Sequence, residues 1–140
     1  MNKIMLRENL SKTLNNIETI KESLYYYKNC KSGTLHKISQ SSLITSIFSI
    51  FAYTEEYLKI VLKELNLGDY ITDLDSSIDV ALSRNFIDKD FSIIIKKYKN
   101  IRLQYLSIIT NQDIEGLLKF YSEIDVHYKK QIQLVDGLLG

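Results

Sequence analysis

Apolar residues recur at intervals of three and four along almost the whole chain, the spacing that lines up side chains on one face of an α-helix. With five Gly and no Pro there is little to interrupt such helices, and no hairpin turn dipeptide separates alternating stretches, so the pattern predicts an all-α fold. A first helix, about Lys3 to Asn29, carries Leu6, Leu10, Leu14, Ile17, Ile20, Leu24 and Tyr27 on one face. The segment from Lys28 to Gln40 mixes Gly33 with Ser, Lys and Thr, has no period, and reads as a connection. A second helix, about Ser42 to Asn66, is the most apolar and is expected to be central. Its stripe holds Leu43, Ile44, Ile47, Phe48, Phe51, Leu58, Val61, Leu62 and Leu65, with Glu55 inside it, and Gly68 follows as a C-cap.

Asp73 and Asp75 stand ready to cap a short helix bearing Ile78, Ala81 and Leu82. Asp88, preceded by Ile87, has the form of an N-cap with a hydrophobic staple. The helix it opens should run to about Ile109 with Phe91, Ile94, Tyr98, Ile101, Arg102, Tyr105 and Ile108 on one stripe. Thr110 and Asn111, with Asp113 and Glu115 in the first turn, open a last helix through about Leu134 that bears Ile114, Leu117, Leu118, Tyr121, Ile124, Tyr128 and Val135. Four long helices with short or moderate loops predict an antiparallel four-helix bundle, the short helix laid across one end, in a single domain over residues 1–140.

A formal net charge of +1 argues against a global electrostatic grip on nucleic acid, so any such contact must come from a local patch. The lone Cys30 allows neither an intramolecular disulfide nor a cysteine-based zinc site, which points to a reduced, cytoplasmic setting. The N-terminus enters a charged helical pattern with no apolar signal core. The longest apolar stretch, Leu43 to Tyr53, is broken by Thr45, Ser46 and Ser49 and falls short of the roughly 20 residues that span a bilayer, so it reads as a core helix and no membrane contact is expected. Tyr25, Tyr26 and Tyr27 cannot all face one side of a helix, and an exposed ring there suggests a partner surface.

The chemistry centres on Arg102, since an Arg on an apolar stripe demands a carboxylate or several carbonyls. Glu55, inside the stripe of the second helix, is the first candidate partner, with Glu56, Glu123 and Asp125 behind it. The pair is either a structural tie that fixes register or part of a binding site. Around it, Lys96, Lys97, Tyr98, Lys99, Asn100, Arg102 and Tyr105 interleave cations with rings, chemistry that holds phosphates and stacks unpaired bases, or else forms a solvated helix face. Lys129 and Lys130 would extend the patch if the last helix lies beside it. His36 and His127 have no second His or Cys at ligand spacing, and Asp125 and His127 point in different directions, so neither a metal nor any other cofactor is expected. Gly-rich phosphate loops, nucleophile elbows and zincin motifs are absent from the sequence. The doubled Glu55-Glu56 is shared with all-α nucleotide pyrophosphohydrolases, but their second-helix Glu-x-x-Asp is missing.

From Ser42 onward the order of parts resembles the HEPN superfamily of small helical bundles. An apolar helix with an internal glutamate, "FAYTEEYLKIVLKEL", precedes a short helix and an Ile-Asp turn, "IDVALSRNFIDKDF", and then a helix with the motif Arg in "YKNIRLQYLSII". Arg102 matches that Arg, whereas Leu103 replaces the usual Asn, and Leu106, Ser107 and Ile108 supply no His. In active members the Arg and His of two subunits meet at a dimer interface and cleave RNA. Without the imidazole the proton-transfer group is gone, because the Ser107 hydroxyl does not titrate near neutrality. The resemblance therefore implies a non-catalytic homodimeric partner or regulatory protein of the toxin–antitoxin or phage-defence kind, with a protein partner encoded nearby and RNA or a nucleotide in the family's cleft. The candidate binding residues, Arg102 from the motif together with Glu55, Glu56, Tyr98, Tyr105 and Lys99 from the ion-pair and cation–ring patterns, would serve that cleft. Two alternatives stand beside it: a divergent metal-independent ribonuclease in which His127 or His36 of the other subunit supplies the imidazole, and an immunity-type bundle that binds a bacteriocin or toxin.

Overall fold

The computed structural model describes residues 2–111 and 113–140. Helix accounts for 85% of the described residues, and no strand occurs among them, as the apolar period requires of an all-α protein. Helix α1 spans Lys3–Asn29 and α2 spans Gly33–Glu64. Side-chain contacts pair Asn9 with Tyr53, Asn16 with Ser46 and Ser23 with Ser42, so the two helices run antiparallel.

The α1–α2 seam is more polar than its leucines suggest. Asn9 Nδ2 donates to the Tyr53 carbonyl at 3.0 Å, Asn16 Nδ2 to the Ser46 carbonyl at 2.8 Å, and the Ser23 and Ser42 hydroxyls share a hydrogen bond of 2.7 Å. These α1 residues recur at the heptad interval and are buried together with Leu6, Leu10, Ile17 and Ile20. Leu14, expected on this face, is instead exposed.

The aperiodic stretch before Gln40 is helix rather than connection, and the turn between α1 and α2 shrinks to residues 30–32. The inward positions at the start of α2 are Ser39 and Gln40, while Leu35 and Ile38 face solvent, so the apolar period is inverted there and hides the helix. Gly33, at φ +83, makes the tight entry. His36 locks the turn by stacking on Tyr27, with ring centroids 4.9 Å apart, and by placing Nδ1 2.8 Å from the Cys30 carbonyl.

Helix α2 ends in a Schellman motif on Asn66 rather than Gly68. Asn66 takes the left-handed conformation at φ +59, Leu67 N–H donates to the Leu62 carbonyl and Asn66 N–H to the Lys63 carbonyl. Helix α3, Leu74–Ser83, is capped by Asp73 as expected, and Asn85, at φ +63, repeats the same termination after it. Asp88 caps α4, Lys89–Tyr98, by accepting from Phe91 N–H at 3.0 Å.

The helix expected to reach Ile109 breaks. A 3₁₀ segment, Lys99–Gln104, separates α4 from α5, Tyr105–Asn111. At 3.0 rather than 3.6 residues per turn, six residues shift the facing register by about 120°. Ile101 and Ile108 stay buried, but Tyr105 rotates outward with Leu103 and Leu106. Thr110 and Asn111 consequently end α5 and do not cap the last helix, α6, which runs over Glu115–Leu139, beyond the expected end, with Asp113 Oδ1 accepting from Glu115 N–H.

Helix α6 packs against α1, α2 and α4, and α3 bridges α2 and α4. Phe51, Phe91 and Phe120 are wholly buried where these elements meet, with Phe51 and Phe120 stacked at 4.8 Å. A buried polar node lies in the same core. The Phe86 carbonyl accepts from the Tyr57 hydroxyl and from Gln131 Nε2, and Gln131 Oε1 accepts from Asp88 N–H at 2.6 Å. Burial raises the Tyr57 pKa, which keeps the hydroxyl a donor.

Gln131→Ala should strip the Asp88 N–H of its partner and cost about 1–3 kcal/mol, the penalty for an unsatisfied buried donor, and Gln131→Glu should cost at least as much, because it sets a buried carboxylate oxygen against the Phe86 carbonyl. Urea midpoints of the two variants, at unchanged slope, measure this.

Candidate functional site

The four cations of the basic stretch each meet an acid from another element. Lys96 pairs with Asp79 and Lys99 with Asp75, both on α3, Lys97 pairs with Glu123 on α6 at 3.2 Å, and Arg102 pairs with Glu55 on α2. The spacing that looked like a phosphate-binding face is therefore a set of ties that holds the α4 end and the 3₁₀ segment against three neighbours. Tyr98 belongs to this internal structure. Its ring packs on Phe120 at 5.0 Å, and burial together with the adjacent Glu123 carboxylate pushes its pKa up to about 12.

Arg102 meets Glu55 as expected, but the shielding from water does not follow. The two side chains retain 38% and 36% of their exposure. The guanidinium lies over the Phe51 ring, 5.7 Å from its centroid, and Nε donates to the Lys99 carbonyl at 3.3 Å. Because the 3₁₀ segment lifts Arg102 to the edge of the core, a flat cation resting on an aromatic face replaces a desolvated ion pair. Glu56 points the other way, where it accepts from Lys12 at 3.1 Å and from Asn9. Tyr105 stands half outside, its ring edge against Phe48 at 4.9 Å.

Arg102 and Glu55 form one corner of an open cleft of about 850 Å³ between the second half of α2, the 66–72 loop and α3. Lys59 and Lys63, one turn apart on α2, line it without an ion-pair partner among the described residues, and the exposed Tyr70 stands in the loop opposite. Of the residues expected to bind, the structure gathers Arg102 and Glu55 here, keeps Lys99 beside them through its carbonyl, and leaves Glu56, Tyr98 and Tyr105 outside the lining. Lys59 and Lys63 escaped the sequence reading although their one-turn spacing was visible, because only the loop fold shows that they face a cavity.

Beyond the cleft, Leu103 and Leu106 hold 85% and 77% of their exposure, flanked by Tyr105 and Ile109, so the segment after Arg102 presents an apolar face to solvent. Elsewhere, Tyr25 is the most exposed of the tyrosine triple and packs edge-on against Tyr26. His127 lies on α6 facing the start of α4, where Asp88, Asp90 and His127 offer donor atoms within 4.8 Å of one another. That grouping was invisible in sequence because its members belong to different helices.

The chain matches no family model, no curated protein and no solved structure. No helix among the described residues is long and apolar enough to cross a membrane.

Two measurements follow from this geometry. Arg102→Ala should cost only about 1–2 kcal/mol, since a partly exposed pair and one cation–π contact are each worth about 1 kcal/mol or less, and a thermal melt reads the difference. The Asp73 and Glu123 carboxyls both sit below their ordinary range, Asp73 through its cap bonds to Ser76 and Glu123 through Tyr98 and Lys97. Depressed carboxyls contribute stability that is present above the unfolded pKa and lost as pH falls through the folded one. Melting temperature should therefore drop on acidification below about pH 4, and less steeply in Asp73→Asn and Glu123→Gln.

Proposed function

We propose that this chain is a non-catalytic HEPN-like partner or regulatory protein of a toxin–antitoxin or phage-defence type system, working in the cytoplasm as a homodimer that also engages a protein encoded nearby. The observation that carries this reading is the segment following the motif Arg. Where an active member of that superfamily places a polar, proton-transferring group, this chain turns Leu103 and Leu106 to solvent and holds Arg102 on Glu55. An exposed apolar face rimmed by paired charges suits a protein partner. Among the described residues no imidazole lines the adjacent cleft, because His36 is engaged by Tyr27 and the Cys30 carbonyl and His127 faces Asp90. The packing of α1, α2, α4 and α6, with α3 bridging α2 and α4, supports an antiparallel four-helix bundle as the underlying architecture.

RNA or a nucleotide is the second ligand of this reading, and its place is the cleft rather than the basic stretch. Lys59 and Lys63 supply phosphate contacts there, and Tyr70 supplies a ring for a base. The divergent ribonuclease and the toxin-binding immunity protein remain the rival classes, and they differ in what the same assay reads.

Light scattering at micromolar concentration should show a dimer that Leu103→Glu with Leu106→Glu converts to a folded monomer. Single-stranded RNA should bind without cleavage, and Lys59→Ala and Lys63→Ala should each lower the slope of affinity against salt by about 1. Cleavage that vanishes in Arg102→Ala would make the chain an enzyme, and a monomer that captures a toxin would make it an immunity protein.

A further inference from the structure

We propose that Asp88, Asp90 and His127 form a binding site for a borderline divalent transition cation of the Zn²⁺ class. The set combines two carboxylates from the start of α4 with one imidazole from α6, and their donor atoms lie within 4.8 Å of one another. His127 Nδ1 is sealed from solvent and has no hydrogen-bond partner, although the side chain as a whole keeps 27% of its exposure. The nearest charged oxygen, Asp90 Oδ2, stands 3.8 Å away, too far for a hydrogen bond. Two ligands about 2.1 Å from a tetrahedral ion are about 3.4 Å apart, so a cation between these atoms needs only small side-chain rotations.

The frame around the site is already rigid. Asp88 uses Oδ2 to cap Phe91 N–H, which leaves its other oxygen for a cation. Gln131, one turn beyond His127 on α6, holds the Asp88 N–H at 2.6 Å, so the backbone that carries both aspartates is clamped to the helix that carries the imidazole. Three protein donors leave a further position for water or an exchangeable ligand.

Two local charges oppose a cation and weaken its binding. Lys130 Nζ stands 3.8 Å from Asp90 Oδ2, but its half-exposed side chain is free to swing away. The N-terminal end of α4 carries partial positive charge, so the grip is weaker than that of a closed structural site. The imidazole selects Zn²⁺, Co²⁺ and Ni²⁺ over Mg²⁺ and Ca²⁺, which prefer all-oxygen shells.

The test is calorimetric titration of ZnCl₂ into the chelator-treated, tag-free chain, with MgCl₂ as the comparison and far-UV spectra to confirm that each variant is folded. The expected result is saturable binding of one Zn²⁺ per chain, weakened about 10-fold or more in His127→Gln and in Asp90→Asn. Binding should stay as in the parent in the double variant Cys30→Ser with His36→Ala, and Co²⁺ should give visible bands without a thiolate charge-transfer feature. No saturable Zn²⁺ binding, or binding that survives His127→Gln, would overturn the site. The outcome is independent of dimerisation and RNA binding, which this titration does not read.

Discussion

The Phe86 carbonyl is the constraint on which the rest of the molecule turns. It lies where α3 has ended and α4 has not begun, so no helix supplies it with a partner, yet it sits in the core. Tyr57 from α2 and Gln131 from α6 both donate to it, and Gln131 also takes up the Asp88 N–H that opens α4. Leaving such groups unpaired costs more than forming the bonds gains, so the node specifies one arrangement of three helices more strongly than it stabilises them. Everything downstream of Asp88 inherits that placement, including the two aspartates that face His127 and the segment that delivers Arg102.

The same logic runs through the other contacts. The Asn9, Asn16 and Ser23 ladder sets the register of α1 on α2 with bonds that a one-turn slip would break, in a seam whose leucines alone would tolerate the slip. At the far end of α4, Lys96, Lys97, Lys99 and Arg102 spread their ties over α3, α6 and α2. Each exposed pair is worth little, but together they hold a 3₁₀ segment that would otherwise have few reasons to stay in place.

That segment also shapes the surface of the molecule. Breaking the helix moves Arg102 to the rim of the core, over Phe51, and turns Leu103, Tyr105 and Leu106 outward. A continuous α-helix would have kept Tyr105 on the buried stripe and left no comparable apolar face. The cations that looked available for phosphate are consumed in holding this geometry, and the unpaired ones, Lys59 and Lys63, lie in the cleft on the other side of Glu55.

The sequence by itself determined the all-α class, the extent of α1, the caps at Asp73 and Asp88, and the meeting of Arg102 with Glu55, because these depend on local period, cap chemistry and the need of a cation for an acid. It misjudged the start of α2, where Ser39 and Gln40 point inward and Leu35 and Ile38 outward, since a reading by hydrophobicity assumes that apolar means buried. It also missed the 3₁₀ break, which no Pro or Gly marks. Only the tertiary structure decided which cations are paired, that Arg102 is half exposed, that Lys59 and Lys63 share a cleft, and that His127 faces Asp88 and Asp90. Those facts depend on contacts between helices distant along the chain, and the period of a single helix carries no information about what its neighbour places opposite.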